Sequence, residues 1–331
     1  MKITVLGAGS WGTTVASVAA SRNDTVLWAR DPDVADAIET DRENTRYLAG
    51  FRLPPRLHAT ADLEKAVATA DVLIVGIPSH GFRDVLVQAT PFIRPWIPVV
   101  TLTKGFEQGT LLRMTQVIKE VLPGHPAAAL SGPNLAKEIM AGYAAATVIA
   151  TEDLQVARAL QAVLHRGLFR VYTNHDVIGC EVGGAMKNVI AIAAGMAEGL
   201  SVGDNTKAAV MSRGLAELTR LGVAMGGEAS TLSGLAGLGD LVATCSSPQS
   251  RNRYVGEQLG KGRKLDEILA EMNMVAEGVK TASLTMELAD RYSVEMPIAK
   301  IIHSVIAHGA TARDAYAGLL RGLPGHEDDP N

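Results

Sequence analysis

The chain opens MKITVLGAGSWG (residues 1–12). Ile3–Leu6 is a short apolar run with β-branched residues, and it predicts a strand. Gly7, Gly9 and Gly12 follow in the spacing G-x-G-x-x-G, and Trp11–Ser21 then predicts a helix. Each glycine answers a separate physical need: a tight turn, close approach of a diphosphate to the backbone, and close packing of helix on strand. The start of such a helix offers unpaired N–H groups and the positive end of its dipole. Strand, glycine turn and helix together predict a cradle for the pyrophosphate of a dinucleotide.

Further strands are expected at Thr25–Trp28, Val72–Gly76, Val99–Leu102, Ala127–Leu130 and Ala146–Ala150. Several are apolar throughout, which suits parallel strands covered on both faces. Helices are expected between them at Pro32–Thr40, Gly81–Gln88, Leu111–Val121 and Asp153–Leu164. The alternation predicts an α/β fold: a doubly wound, Rossmann-like parallel sheet over residues 1–177. Beyond about residue 175 the strand signal ends. Ile178, Val182, Ala185, Met186, Val189, Ile190 and Ala193 recur at helical spacing, marking one buried helix face. Further helices are expected at 204–224, 251–260, 264–272, 278–292, 297–307 and 311–320. The second domain, 178–323, therefore reads as all-helical, and 324–331 as a short acidic disordered tail.

A chain of 331 residues exceeds one compact core, in line with two domains. Its net charge of −4 gives no basic field for nucleic acid or an anionic membrane. The most apolar stretches, Val72–Pro78 and Val189–Ala197, are far shorter than the roughly 20 residues of a membrane span. A strand begins at once, so no signal peptide is read, and the expected location is cytoplasmic. Cys180 and Cys245, the only two cysteines, suit a reducing compartment and read as small core residues. The eight histidines show no metal-ligand spacing, so no metal is expected.

The end of the second strand reads VLWARD (26–31). An acid there accepts from the ribose 2′-hydroxyl of NAD, and an arginine favours the 2′-phosphate of NADP. Arg30 occupies that place and Asp31 follows, so NADPH is expected with NADH tolerated.

Lys187 lies on the apolar helix of the second domain, with Gly183, Gly184, Ala191 and Ala194 as its helical neighbours. A lysine on so small-sided a face leaves room for a close approach, although a lysine snorkelling to solvent fits composition as well. To carry a proton it must have its pKa lowered by burial or by cations, for which Lys104 and Arg251 are candidates. The glycines of GLAGLGD (234–240) read as a flexible turn ending at Asp240. Ser250 then sits at a helix N-cap position ahead of Arg251, Asn252 and Arg253. Arginine in a first helical turn opposes the dipole, yet it suits a bound phosphate. Lys104 in TKGFE (103–107) and the string SGPNLAKEI (131–139) follow strands, at the ends where open sheets bind ligands.

In order, GAGSWGT (7–13), TKGFE, GPNLAKEI (132–139), GGAMKNVIAIAAG (183–195), NTKAAVMSRGLAE (205–217) and GLGDLVATCSSPQSRNRYVG (237–256) closely resemble the bacterial-type NAD(P)-dependent glycerol-3-phosphate dehydrogenases. The resemblance runs from residue 1 to about 320. It implies reversible reduction of dihydroxyacetone phosphate to sn-glycerol 3-phosphate for glycerophospholipid synthesis. By motif it makes Lys187 the catalytic lysine, with Asp240 orienting it or a substrate hydroxyl. Ser250, Arg251 and Asn252 would hold the substrate phosphate, and Lys104, Gly132 and Asn134 would line the substrate site. Ser10, Trp11, Arg30, Ala136, Val275 and Glu277 would contact the cofactor, as would Lys104 and Arg251. Asn134 departs from the serine or threonine of many bacterial members, but asparagine can still donate a hydrogen bond.

Two other readings stand beside this one: a related two-domain β-hydroxyacid-type dehydrogenase that binds carboxylates, and a non-catalytic dinucleotide-binding redox sensor. The Ser250–Asn252 cap favours phosphate over carboxylate, and a sensor has no use for the lysine and aspartate. A homodimer is the base-rate expectation.

Overall fold

The computed structural model describes residues 1–272 and 275–319; the expected tail at 324–331 lies outside them. The chain divides into two compact units. One comprises Met1–Thr103 and Leu112–Val177; the other comprises Lys104–Leu111 and the chain from Ile178 onward. The segment after the fifth strand thus belongs to the second unit, a return that no periodicity signals.

The first unit holds strands β1 (Lys2–Leu6), β2 (Asp24–Trp28), β3 (Leu57–Thr60), β4 (Val72–Val75), β5 (Val99–Thr101), β6 (Ala127–Ser131), β7 (Ala145–Ala150) and β8 (Phe169–Asn174). They form one sheet in the order β3-β2-β1-β4-β5-β6-β7-β8. Its helices are α1 (Ser10–Ala20), α2 (Pro32–Thr40), α3 (Leu63–Val67), α4 (Ser79–Ala89), α5 (Met114–Val121), α6 (Ala136–Met140) and α7 (Leu154–Leu164). The unbroken apolar strands are explained by two cores. Val72 and Ile74 join Val15, Ile38 and Leu160 in one, while Leu73 and Val75 join Phe82, Leu86 and Val117 in the other.

Three expectations are corrected. The strand at Ala146–Ala150 was expected to run parallel to its neighbours, but β7 is antiparallel to β6. The helix between them, α6, has five residues, or about 7 Å of rise, too little to carry the chain back along β6. The chain therefore starts β7 at the end where β6 finished. The eleven-residue α7 is long enough to return it, and β8 pairs parallel with β7. Strands β3 and β8 were not expected at all. Both lie at sheet edges, and β8 (FRVYTN) alternates buried Phe169 and Val171 with exposed Arg170 and Tyr172. Finally, the helix expected from Leu111 begins at Met114. Leu111 has a positive φ of 63°, and the Gln116 side chain accepts from the Arg113 N–H at the true start.

The second unit is helical: α8 (Val177–Gly199), α9 (Asp204–Ala224), α10 (Ala229–Leu232), α11 (Asp240–Ser246), α12 (Arg251–Gly260), α13 (Leu265–Ala270), α14 (Glu277–Tyr292), α15 (Pro297–His308) and α16 (Ala312–Leu319). α8 is longer than the apolar stretch seen in sequence. Its 23 residues meet the length and apolarity of a membrane span, but 94% of that window is buried inside the protein. It is a core helix, and Phe106 and Leu111 of the returning segment pack into the same core. Gly195 lets α12 come so near that a Cβ there would lie 2.0 Å from the Arg253 carbonyl. Gly256 answers it from α12, where a Cβ would lie 2.0 Å from the Ile192 carbonyl.

Glu217 of α9 is buried and accepts from the N–H groups of Ile298 (2.6 Å) and Ala299 (3.2 Å), in the first turn of α15. That helix has no side-chain cap of its own. Burial pushes the Glu217 carboxyl up to about 7, against the two N–H bonds and the charges of Arg220 and Arg213. A carboxyl raised in the folded state binds its proton more tightly than in the unfolded chain, so its contribution to stability falls as pH rises from about 4.5 to 7. Glu217→Gln removes that dependence. Between pH 5 and 7.5 the variant is expected to gain on the wild type by on the order of 1–3 kcal/mol in denaturant unfolding. An unchanged difference between the two proteins overturns this reading.

Candidate active site

In the first unit the glycine turn behaves as its spacing predicts. Gly7 has φ +109°, and a Cβ there would sit 2.6 Å from the Gly76 carbonyl at the end of β4. A Cβ on Gly12 would lie 1.9 Å from the Gly7 carbonyl, so only glycine lets α1 start this close. A Cβ on Gly9 would meet nothing within 4 Å, which leaves the turn open on the side a pyrophosphate needs. Gly9 caps α1 without a side-chain bond, so the N–H groups of Ser10 and Trp11 are not spent on a side-chain cap. The buried Trp11 Nε1 has no partner among the described residues. These features fit a bound dinucleotide.

Arg30 is exposed just beyond β2 and has no ion-pair partner among the described residues. Asp31 is not simply a solvated charge: it caps α2 by accepting from the Asp33 N–H, and it pairs with Arg46. Gly132 follows β6 at φ +134°, a backbone conformation that strains any L side chain, and a Cβ there would lie 3.1 Å from the Thr147 Cα. The Thr147 hydroxyl gives its proton to the Ser131 carbonyl and so must accept from Asn134 Nδ2 (2.9 Å). Asn134 Oδ1 is buried and has no partner among the described residues, so an acceptor there is free to meet a ligand. Ala136 opens α6, half-buried.

The second unit brings Lys187, Asp240 and Lys104 together. Lys187 is 7% exposed in the middle of α8. Its Nζ donates to Asp240 Oδ1 and to the Thr244 hydroxyl (2.7 Å), and Lys104 Nζ donates to Asp240 Oδ2 (2.5 Å). One buried carboxylate therefore bridges two ammonium groups. Burial pushes the Lys187 pKa down to about 8; Lys104 adds to the lowering, and Asp240 opposes it. The alternative of a lysine snorkelling to solvent is thereby set aside.

The small-residue face around Lys187 admits another part of the same unit. Leu235–Gly239 is a π-helical turn rather than the flexible turn expected, and Asp240 starts α11 directly after it. A Cβ on Gly183 would lie 2.6 Å from the Ala236 carbonyl, so this turn reaches α8 only because position 183 is glycine. Thr244 follows Asp240 by one helical turn, a spacing that could have marked it in the sequence. Asn188 was also missed: it accepts from Asn252 Nδ2 (2.8 Å), while Asn252 Oδ1 accepts from the Gly278 N–H (3.0 Å). Asn252 thus ties α8, α12 and α14 together with its side chain.

Ser250 is the N-cap of α12 and accepts from the Arg253 N–H. Arg253 is committed to the Ser247 carbonyl and to Glu257. Arg251, by contrast, makes no hydrogen bond or ion pair among the described residues and keeps an exposed face. Crowding around its guanidinium still lowers its pKa, with Glu277 opposing. Val275 and Glu277 lie half-buried at the start of α14. Cys245, beside this cluster, is buried and pushed up to about 12, which leaves it unreactive.

The model of the NAD-dependent glycerol-3-phosphate dehydrogenase N-terminus matches residues 2–157, and that of the C-terminus matches residues 176–317. A glycerol-3-phosphate dehydrogenase [NAD(P)+] of Sphingopyxis alaskensis is 57% identical, covering 100% of this chain and 99% of that protein. One of Mycobacterium tuberculosis is 54% identical, covering 98% and 96%. The crystal structure of glycerol-3-phosphate dehydrogenase from Coxiella burnetii superposes with a TM-score of 0.94 at 36% identity, covering 97% of this chain and 99% of that one. The chain belongs to the NAD-dependent glycerol-3-phosphate dehydrogenase family.

Proposed function

We propose that this protein reduces dihydroxyacetone phosphate to sn-glycerol 3-phosphate, reversibly, with NADPH preferred and NADH tolerated. The observation that carries the reading is the buried Lys187, lowered to about 8 and held by Asp240 and Thr244. Full-length likeness to glycerol-3-phosphate dehydrogenases [NAD(P)+] supports the substrate. Product supply to glycerophospholipid synthesis is proposed on the same likeness, a cytoplasmic setting on the two free cysteines, and a homodimer on the base rate for soluble proteins.

When bound, the dihydronicotinamide supplies the hydride that reaches C2 of the substrate. Lys187 as an ammonium donates one proton to the carbonyl oxygen, so ketone, hydride and proton together make the alcohol. In the reverse direction neutral Lys187 accepts the hydroxyl proton. A donor near pKa 8 is mostly charged at neutral pH yet releases its proton far more readily than an ordinary lysine near 10.4. Asp240 keeps the ammonium in place and offsets the repulsion of Lys104. Arg251, with the N–H groups that open α12, holds the substrate phosphate; Gly7, Gly9 and Gly12 with Ser10 and Trp11 hold the dinucleotide.

The decisive assay follows NADPH and NADH oxidation with dihydroxyacetone phosphate. Turnover is expected, and oxidation of 3-hydroxyisobutyrate or 6-phosphogluconate without it would refute the proposal. Lys187→Ala is expected to lower kcat by about 10²–10⁴ while NADPH still binds, as read by fluorescence titration. Unaltered turnover removes Lys187 from the mechanism. The reduction rate is expected to fall as pH rises through about 8, where Lys187 loses its proton, and the oxidation rate to rise. Asp240→Asn withdraws the charge that raises the Lys187 pKa, so both inflections should move about 1–3 units lower. Arg30→Ala is expected to cut kcat/KM for NADPH by about tenfold or more and to leave NADH nearly untouched, the loss of one charge-assisted phosphate contact. An unchanged ratio removes Arg30 from cofactor selection.

A further inference from the structure

The end of β2 holds more charge than Arg30 alone. Asp31 follows it, and in a dinucleotide fold an acid here accepts from the ribose 2′-hydroxyl and repels a 2′-phosphate. In this chain both Asp31 oxygens are occupied. Oδ1 accepts from the Asp33 N–H (3.1 Å) as the cap of α2, and Oδ2 accepts from Arg46 Nη1 (2.5 Å). Arg46 lies in the stretch between α2 and β3, and its guanidinium carbon stands 5.3 Å from the centre of the Tyr47 ring.

An exposed arginine pair is ordinarily weak, because two long side chains must be ordered for a screened attraction. The placement of Arg46 rests on a buried anchor. Asn44 is 1% exposed, and its Nδ2 donates to the Ala8 carbonyl (2.8 Å) and the Thr13 hydroxyl (2.8 Å), on either side of the glycine turn's last two glycines. Its Oδ1 accepts from the Tyr47 N–H (3.1 Å), so the backbone that carries Arg46 is tied to the glycine turn through the Asn44 side chain. The nearby Arg42 and Arg56 are turned elsewhere, onto the carbonyls of Pro54 and Arg22. Arg46 is the cation that meets Asp31.

We infer that Arg46 is a specificity-determining residue: by pairing with Asp31 it masks the acid that follows Arg30 and lets Arg30 select NADPH. The inference rests on the proposed NADPH preference and deepens it. Arg46 acts through Asp31, as a positioning residue, and Asn44 holds it to the same turn that binds the pyrophosphate.

The test measures kcat/KM for NADPH and for NADH in the wild type, Arg46→Ala, Asp31→Asn and the double variant. Asparagine caps a helix as well as aspartate does, so Asp31→Asn removes the charge and keeps α2. Arg46→Ala is expected to lower the NADPH-to-NADH ratio about tenfold, equivalent to about 1.4 kcal/mol, by exposing the Asp31 carboxylate to the 2′-phosphate. Asp31→Asn is expected to hold or raise the wild-type ratio, and the double variant is expected to return to the ratio of Asp31→Asn. A ratio untouched by Arg46→Ala overturns the inference. So does a double variant as low as Arg46→Ala, since that outcome makes Arg46 a direct phosphate contact. A wild type that prefers NADH refutes the cofactor proposal itself, and is read separately from the change produced by Arg46→Ala.

Discussion

An ammonium group buried in the middle of an apolar helix is the constraint on which the second unit is built. Removing Lys187 from water costs several kcal/mol unless a counter-charge and hydrogen-bond acceptors are brought to it. Asp240 and Thr244 meet that requirement from one face of a short helix. Delivering that helix demands a close approach, which Gly183 on α8 and the π-helical turn before Asp240 make possible. Asp240 in turn has a second oxygen to satisfy in a buried place, and Lys104 satisfies it. Compensation is partial: the lysine remains lowered to about 8.

The same cluster accounts for an oddity of chain routing. Residues 104–111 leave the sheet after β5 and join the helical unit before the chain returns to the sheet. Phe106 and Leu111 bury themselves in the helical core, which anchors the segment and fixes Lys104 beside Asp240. The Lys104 carbonyl also lies within 3.4 Å of Asn188 Nδ2, one residue on from Lys187. Apolar packing therefore supports an electrostatic arrangement that surface charges could not hold in place.

The glycine turn obeys a different constraint. It must leave backbone N–H groups unspent at the start of α1, and Gly9 does so by bringing neither a cap nor a Cβ. Asn44 steadies the turn from beneath through Ala8 and Thr13, so donors are left open without the loop losing its shape.

The glycine spacing, the uniformly apolar strands and the periodic face of α8 could be read directly, because each is a local requirement of strand, turn or helix. Lys187 and Arg251 stood out because each is an uncomfortable residue for its local setting, a lysine on an apolar helix and an arginine in a first helical turn, while Asp240 and Ser250 were marked by the turn and the cap they occupy. The half-exposed edge strands β3 and β8 carried no such mark, and the direction of β7 followed from the reach of α6 rather than from its own residues. Thr244, Asn188, Glu217 and Asn44 are ordinary polar residues in sequence. Their importance comes from partners 57, 64, 81 and 36 positions away, respectively. By itself the sequence determined the type of each unit and the chemical identity of the groups at the site, since both depend on local periodicity and residue chemistry. Only the tertiary structure decided which groups share one carboxylate, how far Lys187 is shifted and what Asp31 faces, because burial and charge pairing arise from contacts between distant segments.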